Sequence, residues 1–294
     1  MKVVLGPASK ALGEKTAELA GLEVVEVAYR PFPDGESYVR LEGSVQDEHA
    51  IIVQTTSAPQ DTRLMQLAFL AGASKRNGAC KVTVVVPYLS YARQDKMFLD
   101  GEGVSVETVA DMLKAAGVDA MITVNIHAES ALKKFPFPAK TLSAIPLIAE
   151  YFVEKGFEKA FALAPDKGAM YIAEQAQSVL GGGIGHLDKK RDRYTGQTTQ
   201  TSEGLDVKEQ NVIIFDDIIS TGGTIVGAAK ILRELGAARV FTACVHPVLV
   251  GDAEQRILNA GVEEVVGTDS IPSHVSKVSL APLIAKALKA QESG

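Results

Sequence analysis

Residues 212–225, Val-Ile-Ile-Phe-Asp-Asp-Ile-Ile-Ser-Thr-Gly-Gly-Thr-Ile, decide the fold of this chain. A short apolar run typical of a buried parallel strand leads directly into two adjacent carboxylates, Asp216 and Asp217. A loop of hydroxyl residues and glycine follows, and apolar residues then recur at helical spacing up to Gly236. The pattern predicts a strand, a ligand-binding loop and a helix, in that order.

The loop has the chemistry of a sugar-phosphate site. Adjacent carboxylates accept hydrogen bonds, which suits the two hydroxyls of a ribose. Backbone amides at the start of a helix bind phosphate, and that position is occupied by Ser220, Thr221, Gly222, Gly223 and Thr224. The alternative is an ordinary solvated turn with a helix N-cap. The strand before the loop and the helix after it favour the ligand site.

Composition limits the class of protein. The chain has 294 residues, enough for two domains, and its 46% hydrophobic and 22% charged residues are ordinary for a globular protein. A formal net charge of −6 argues against nonspecific binding to nucleic acid. No apolar run approaches the ~18 residues of a membrane span, and the first residues lack a signal-peptide pattern. We therefore expect a cytoplasmic protein without nucleic-acid or membrane partners.

The chain contains a weak internal repeat. Residues 51–90 and 212–249 share the order strand, polar loop, helix and strand, and Pro146-Leu-Ile-Ala149 recurs as Pro282-Leu-Ile-Ala285. Strands that alternate with helices predict parallel sheets flanked by helices. We expect an α/β domain duplicated in tandem. The first copy of the loop, at 54–62, lacks paired acids and Gly-Gly, so only the second copy is expected to keep the sugar-phosphate site.

Candidate strands follow from short apolar runs bounded by turn residues. In the first half they are Lys2–Leu5, Glu23–Val27, Ala50–Val53, Val82–Pro87 and Met121–Val124. In the second half they are Phe161–Ala164, Ile184–His186, Val212–Phe215, Val240–Val245 and Glu264–Gly267. Ligands of such sheets gather at the carboxyl ends of the strands. Polar residues that follow a strand are therefore candidate site residues.

Three polar segments after other strands extend the candidate site. Arg93, Gln94 and Asp95 follow a predicted strand and have the groups to contact phosphates or a base. His127 ends another strand, a position compatible with a metal or phosphate ligand as well as with a structural histidine. Asp166 occupies the same kind of position in the second half.

A cationic run in the second half points to phosphate chemistry. It contains Lys189 and Arg191 and is followed by a polar stretch, residues 197–202, of the kind that forms a flap. Cations on a flap would close over a phosphate chain and neutralise its charge. A solvated surface turn is the alternative for any isolated basic run.

A turn near the N-terminus combines an aromatic ring with two acids. It reads Phe32-Pro-Asp-Gly-Glu36, so that Asp34 and Glu36 flank a glycine. As a bare turn this sequence is unremarkable. Stacking of an adenine on Phe32 is the sharper interpretation.

Together these motifs resemble ribose-phosphate pyrophosphokinases, also called phosphoribosyl pyrophosphate synthetases, nearly from end to end. The segment 216–224 alone is shared with the type I phosphoribosyltransferases, but its pairing with 32–36, 91–95 and 165–166 is specific to the synthetases. The length and the stretch 93–102 look most like the shorter archaeal-type members. The implied reaction transfers the β,γ-diphosphoryl group of ATP to O1 of ribose 5-phosphate, giving phosphoribosyl pyrophosphate and AMP.

The resemblance also implies how the chain is organised. It implies two tandem phosphoribosyltransferase-type (type I) domains, each a mainly parallel sheet flanked by helices, related by a pseudo-two-fold duplication. We expect a first domain over residues 1–143, a second over 144–276, and a C-terminal helix at 277–294 that packs back on the first. At least a homodimer is implied, because in this family the adenine pocket is shared between subunits.

The resemblance gives each candidate residue a role. The residues that would bind ribose 5-phosphate are Asp166, Asp216, Asp217, Ser220, Thr221, Gly222, Gly223 and Thr224. Those that would bind ATP are Arg93, Gln94, Asp95 and His127, with Phe32, Asp34 and Glu36 from a neighbouring subunit. Lys189 and Arg191 would stabilise the transferring group. His127 and Asp166 would place Mg²⁺, while Asn125 stands where many members have aspartate.

Two other interpretations share part of the pattern. A phosphoribosyltransferase, which consumes phosphoribosyl pyrophosphate, would share 216–224 but needs neither Phe32–Glu36 nor Arg93–Lys96, and usually has one such domain. A non-catalytic regulatory homologue would be expected to have lost the flap cations or the acid pair, and this chain keeps both. The synthetase is therefore the preferred interpretation.

Overall fold

The computed structural model describes residues 1–191, 198–201 and 205–292 of the chain. These residues form two compact units, one from residues 1–143 with 279–292 and the other from Ala144–Val278. Each unit contains a six-stranded sheet. Each therefore has its own hydrophobic core.

The first unit is a parallel sheet to which an antiparallel hairpin is added. Its strands are β1 (Lys2–Leu5), β2 (Glu23–Val25), β3 (Val27–Pro31), β4 (Ser37–Leu41), β5 (His49–Val53), β6 (Lys81–Val86), β7 (Ala120–Val124) and β8 (Ala139–Leu142). Its helices are α1 (Lys10–Ala20), α2 (Gln60–Arg76) and α3 (Ser105–Ala115). The sheet order is β2-β1-β5-β6-β7-β8, and all of these neighbours pair in parallel. Strands β3 and β4 pair with each other in antiparallel.

The second unit has the same construction. Its strands are β9 (Phe161–Ala164), β10 (Ile184–His186), β11 (Asp188–Arg191), β12 (Thr198–Thr201), β13 (Asn211–Ile219), β14 (Arg239–Pro247), β15 (Val265–Thr268) and β16 (Ser276–Val278). Its helices are α4 (Ile145–Glu154), α5 (Met170–Leu180), α6 (Gly223–Glu234) and α7 (Ala253–Asn259). The parallel sheet has the order β10-β9-β13-β14-β15-β16, and β11 pairs with β12 in antiparallel.

The last helix, α8 (Ala281–Glu292), belongs to the first unit and packs against α1. Its buried face includes Ile284 and Leu288, both fully buried. A bilayer-spanning helix is absent from the described part of the chain, since no helix there combines the required length with the required hydropathy.

The two sheets share one strand order. Counted within each sheet, the second strand lies at the edge and is followed by the first, third, fourth, fifth and sixth. In each unit the antiparallel hairpin is inserted between the second and third strands of the sheet, as β3–β4 in the first unit and as β11–β12 in the second. The predicted α/β fold with mainly parallel sheets is confirmed, and the shared topology supports the duplication.

The central strands explain why the sheets are parallel and covered on both faces. In β5, residues Ala50, Ile51, Ile52 and Val53 are all fully buried, although successive side chains point to opposite faces. Helices must therefore cover both faces, which is the arrangement of parallel sheets in α/β proteins. The continuous apolar runs of the sequence follow from this double burial.

The structure corrects several of the predicted strand boundaries, most of them by one or two residues, and adds strands that were not predicted. The strand expected at Glu23–Val27 ends at Val25, and Val27 begins the hairpin strand β3. Strand β13 continues past Phe215 to Ile219, because it stays paired with β14. Strands β8 and β16 lack a continuous apolar run, since they lie at the sheet edges and are only partly buried.

An aromatic cluster fills part of the core of the second unit. The ring centroid of Phe152 lies 5.8 Å from that of Phe241, 6.1 Å from that of Phe157 and 6.3 Å from that of Phe215. Phe152 is 1% exposed, so its ring is enclosed by protein atoms. Truncation of this side chain would leave a cavity in a close-packed region.

We expect Phe152→Ala to lower the free energy of unfolding by about 3–5 kcal/mol, the range for truncation of a buried phenylalanine. Phe69→Ala makes the same chemical change at a side chain that is 41% exposed and should cost much less. Urea unfolding followed by circular dichroism measures both. Equal losses in the two variants would contradict the core position of Phe152.

Candidate functional site

The acid pair lies in the carboxyl-terminal half of β13. Asp216 is half-buried and Asp217 is buried. The sequence predicts the acids at the end of the strand. The ladder with β14 instead continues to the pair Ile219 and Pro247, so the acids lie within the strand. The Asp216 carboxylate accepts a hydrogen bond from the N–H of Asp217 at 2.9 Å, and the Asp217 carboxylate accepts one from the N–H of Ile218 at 2.8 Å.

The surroundings of Asp216 favour its neutral form. Partial burial removes water that would stabilise the charge of the carboxyl, and the negative charge of Asp217 repels a second charge, so the pKa of Asp216 is raised well above its ordinary value. The two carboxyls also hydrogen-bond to each other. In the absence of a ligand the pair therefore favours holding a proton. Hydroxyl groups that donate hydrogen bonds to the pair would stabilise the ionised form instead.

The loop after β13 is short and open. Ser220, Thr221 and Gly222 connect the strand to α6, whose first turn contains Gly223 and Thr224. Gly222 has a φ of +75°, in the left-handed region that glycine enters without a steric penalty. No described side chain caps the start of α6. The amide groups of the first turn are thus available to an anion.

Asp166 follows β9, the strand beside β13 in the sheet. Its carboxylate accepts hydrogen bonds from the N–H groups of Gly168 at 2.9 Å and Ala169 at 3.3 Å, which begins a 3₁₀ turn. The charge of Asp166 also contributes to the raised pKa of Asp216. The carboxyl ends of two neighbouring strands therefore bring the predicted ribose 5-phosphate residues together in the second unit.

In the first unit, Arg93, Gln94 and Asp95 lie in the loop after β6. The Gln94 side chain accepts a hydrogen bond from Ser105 Oγ at 2.6 Å, and the Asp95 carboxylate accepts one from Ser130 Oγ at 3.1 Å. Arg93 is exposed. Two side-chain hydrogen bonds thus fix the loop, while the guanidinium of Arg93 is accessible to a phosphate group.

Backbone strain marks the start of this loop. Tyr91 has a φ of +66°, which is uncommon for a residue with a bulky side chain and recurs at functional sites. Its hydroxyl donates to the carboxylate of Asp61 in the first turn of α2. The sequence analysis did not predict this pair as part of the site. The contact joins distant parts of the chain, and no local pattern signals it.

Asn125 and His127 follow β7. Asn125 is buried, has a φ of +37°, and donates its N–H to the carbonyl of Leu142 at 2.8 Å. Asparagine and aspartate are enriched among residues with such a backbone conformation, so the backbone explains the residue type at this position. His127 is exposed.

The predicted metal ligands are separated between the units. His127 lies in the first unit and Asp166 in the second. Within the described part of the chain, no three His, Cys, Asp or Glu side chains are grouped so as to hold a metal ion. The metal site at these two residues stays a prediction.

Phe32, Asp34 and Glu36 form the exposed turn between β3 and β4. The N–H of Phe32 donates to the carbonyl of Glu36 at 2.7 Å, and the Asp34 carboxylate accepts from the N–H of Glu36 at 3.2 Å. The Phe32 ring is 39% exposed, and the Arg30 guanidinium lies 5.6 Å from its centroid and 5.0 Å from that of Tyr38. An exposed ring beside two acids suits the recognition of a purine.

The two predicted flap cations belong to strand β11. In the antiparallel pairing with β12, Lys189 lies opposite Gln200 and Arg191 opposite Thr198. Residues 188–191 of the cationic run therefore form a hairpin strand. Residues 192 and 193 of the run, and residues 197 and 202 of the predicted flap, lie outside the described residues.

The loop of the first unit that corresponds to the phosphate loop is filled by its own side chains. Thr55 and Thr56 are fully buried. The N–H of Thr55 donates to Ser9 Oγ at 2.8 Å, and Thr56 Oγ1 donates to the carbonyl of Tyr88 at 2.9 Å. These bonds occupy groups that a phosphate would need, which agrees with the expected loss of the site in this copy.

Asp216→Asn should stabilise the ligand-free protein in a pH-dependent way. Because the folded-state pKa of Asp216 is raised, its ionisation opposes folding above the unfolded pKa of about 3.9 and the penalty grows until the folded pKa is passed. The melting temperature of Asp216→Asn should therefore exceed that of the wild type near neutral pH, with the gain shrinking toward about pH 4. Asp206→Asn, at an exposed position in the same unit, is the control. A gain that does not change with pH would contradict this interpretation.

Two family models match the chain. Residues 1–117 match the N-terminal domain of ribose phosphate pyrophosphokinase, and residues 141–276 match the phosphoribosyl transferase domain. The two matches follow one another along the chain and cover most of it.

Similar proteins match this chain over nearly the whole length of both chains. A ribose-phosphate pyrophosphokinase of Methanobrevibacter smithii is 43% identical over 98% of this chain and 99% of its own. One of Methanothermobacter thermautotrophicus is 43% identical over 96% of this chain and 98% of its own. The crystal structure of phosphoribosylpyrophosphate synthetase from Mycobacterium smegmatis is 33% identical, with a TM-score of 0.88 over 100% of this chain and 99% of that one. The chain belongs to the ribose-phosphate pyrophosphokinase family.

Proposed function

We propose that this chain transfers the β,γ-diphosphoryl group of ATP to O1 of ribose 5-phosphate, giving 5-phosphoribosyl 1-pyrophosphate and AMP. The observation that carries the proposal is the presence, in one chain, of an N-terminal ribose phosphate pyrophosphokinase domain followed by a phosphoribosyl transferase domain. A phosphoribosyltransferase that consumes the product needs only the second of these. Transfer of a diphosphoryl group from ATP to a ribose phosphate would use both, one for the nucleotide and one for the sugar phosphate.

The second unit supplies the acceptor site in this proposal. Asp216 and Asp217 accept hydrogen bonds from the ribose hydroxyls, which relieves the repulsion that raises the pKa of Asp216. The 5-phosphate binds to the amides of the segment 220–224, at the start of α6. Asp166 adds a third carboxylate to the part of the site that binds the sugar.

The first unit supplies the nucleotide site. Arg93 neutralises phosphate charge, Gln94 and Asp95 contact the nucleotide from a loop that Ser105 and Ser130 hold in place, and His127 binds beside them. The adenine stacks on Phe32 of a neighbouring subunit, with Asp34 and Glu36 reading its edge. This arrangement requires at least a homodimer, and the exposure of the turn supports it.

Mg²⁺ is the proposed metal, held by Asp166 and His127. Asp166 fits this ion because carboxylate oxygen is the ligand type that Mg²⁺ prefers, and because it adjoins the acid pair. His127 offers a nitrogen, which suits this ion less well. When bound, the ion would neutralise charge on the phosphate oxygens of ATP.

The chemistry requires alignment and charge neutralisation more than a covalent intermediate. The oxygen O1 of the sugar forms a bond to the β-phosphorus of ATP, the bond from that phosphorus to the α,β-bridging oxygen breaks, AMP leaves, and the O1 proton is released. Negative charge grows on the leaving oxygen. Lys189 and Arg191, on the hairpin strand β11, are proposed to stabilise that charge.

We also propose the domain limits and the location of the protein. The first domain comprises residues 1–143 and the second 144–276, with the segment from 277 returning to the first domain. The packing of α8 on α1 supports this return. A cytoplasmic location is proposed because both substrates are phosphorylated metabolites.

Incubation of the protein with ATP, Mg²⁺ and ribose 5-phosphate tests the proposed function. We expect AMP and phosphoribosyl pyrophosphate in equal amounts, formed only when ribose 5-phosphate is present. Chromatography of the nucleotides separates AMP from ADP and ATP. ADP in place of AMP would indicate an ordinary kinase and would refute the proposal. If the protein instead consumed phosphoribosyl pyrophosphate when a free base was added, it would be a phosphoribosyltransferase.

Lys189→Ala should lower kcat by about 10²–10³, the typical cost of removing one stabiliser of transition-state charge. The affinity for ribose 5-phosphate should change little, because the side chain acts on the transferring group and not on the bound sugar. Steady-state kinetics with each substrate varied measures both quantities. Lys190→Ala, at the adjacent position of the same strand, is the matched control. Near-normal turnover in Lys189→Ala would remove this residue from the mechanism.

A further inference from the structure

Residues 249–256 donate hydrogen bonds to the backbone carbonyls at the start of the loop that is proposed to bind the 5-phosphate. The N–H of Leu249 donates to the carbonyl of Ile219 at 3.0 Å, and the N–H of Val250 donates to the carbonyl of Ser220 at 3.0 Å. The guanidinium of Arg256, on α7, donates to the next carbonyl, that of Thr221. Three successive carbonyls, that of the last strand residue and those of the first two loop residues, thus accept hydrogen bonds from one neighbouring segment.

This pattern sets the direction of the loop amides. In a trans peptide the C=O and the following N–H point in opposite directions. Because the carbonyls of Ile219, Ser220 and Thr221 face residues 249–256, the N–H groups that follow them face away from that segment. Those N–H groups belong to residues that are proposed to bind the 5-phosphate.

The orientation of the last of these peptides, between Thr221 and Gly222, depends on a side chain. The first two carbonyls are held by backbone N–H groups, which any sequence would provide, whereas Thr221 is held by Arg256. The peptide that it fixes ends at Gly222, and glycine offers little resistance to rotation of that peptide. Arg256 therefore holds the part of the loop that is intrinsically the least restrained.

We propose that Arg256 is a positioning residue for ribose 5-phosphate. Its guanidinium fixes the peptide between Thr221 and Gly222, so that the N–H of Gly222 is directed at the 5-phosphate. The positive charge beside the Thr221 carbonyl also polarises this peptide and makes its N–H a stronger donor. The inference rests on the proposed function, and it adds to it a residue that makes no contact with the substrate.

The charge of Arg256 is balanced by a neighbour on its own helix. Asp252 Oδ1 lies 3.0 Å from Arg256 Nε, one turn earlier. Both side chains are substantially exposed, so this ion pair contributes little to the stability of the fold. The hydrogen bond to the loop and the ion pair can be removed separately, which makes the proposal testable.

Kinetics of Arg256→Met test the proposal. We expect the KM for ribose 5-phosphate to rise about tenfold, the effect of one charge-assisted hydrogen bond, with the KM for ATP unchanged and kcat within about threefold of wild type. Arg256→Lys keeps a cationic donor and should restore most of the affinity. Calorimetric titration with ribose 5-phosphate alone should show the same loss in Arg256→Met, independent of turnover.

Two control variants separate positioning from general effects. Asp252→Asn removes the ion pair but keeps the bond to Thr221, and it should behave as wild type. Arg239→Gln removes an exposed arginine of the same unit that pairs with Glu263, and it should leave the KM for ribose 5-phosphate unchanged. If Arg256→Met does not fold, Arg256→Gln is measured in the same way.

Three results would overturn the proposal: an unchanged KM for ribose 5-phosphate in the Met variant, an equal rise of KM for both substrates, or a Lys variant as impaired as the Met variant. These results differ from a failure of the proposed function. A wild-type protein that forms no AMP refutes that function, whereas an active wild type with an unaffected Met variant refutes only the role of Arg256.

Discussion

The parallel pairing of β13 with β14 is the constraint on which the candidate site depends. The ladder continues past the acid pair to Ile219, so the backbone of Asp216 and Asp217 is fixed by the sheet. Because the two carboxyls are kept close together in a partly buried place, burial and the charge of Asp217 together raise the pKa of Asp216. The same pairing delivers the chain to Ser220 in a defined direction, where residues after β14 bind the loop carbonyls. One strand thus positions both the acids proposed to bind the sugar and the loop proposed to bind the phosphate.

The duplication relates two elements with different proposed roles. The β3–β4 hairpin and the β11–β12 hairpin are inserted at the same point of the two sheets. One carries the exposed turn Phe32–Glu36 and the other carries Lys189 and Arg191. In the first unit, Val27, Val39 and Leu41 of the hairpin pack against the core, whereas the turn at residues 32–36 is exposed and can change without disturbing that packing. In this view, one ancestral hairpin acquired the proposed base-recognition turn in one copy and the proposed catalytic Lys189 and Arg191 in the other. The loop at 54–57 lost its ligand, and its polar groups bond within the protein instead.

The parts of the structure that were predicted from the sequence are those that local patterns encode. Continuous apolar runs predicted the buried strands, and the segment 212–225 predicted a strand, a loop and a helix in that order, which the structure shows as β13, the loop 220–222 and α6. The sugar-phosphate site in this loop stays a prediction. Strands β8 and β16 were missed, since edge strands need not be apolar. The contacts of Tyr91 with Asp61 and of Arg256 with Thr221 were missed for another reason. They join residues 30 and 35 positions apart, which only the packed fold brings together.

The site also resolves an electrostatic conflict. The protein is acidic, with a formal charge of −6, and the proposed acceptor carries a phosphate close to two carboxylates. A lysine or arginine within the loop would bind the phosphate, but it would also pair with Asp216 and Asp217 and compete with the ribose hydroxyls. Amides at a helix start attract the phosphate without carrying a full charge, so the acids stay available to the sugar. Arg256 lies behind the loop, bonded to Thr221 and paired with Asp252, where it orients an amide without neutralising the acids. A cation placed there strengthens the phosphate site at the smallest cost to the sugar site.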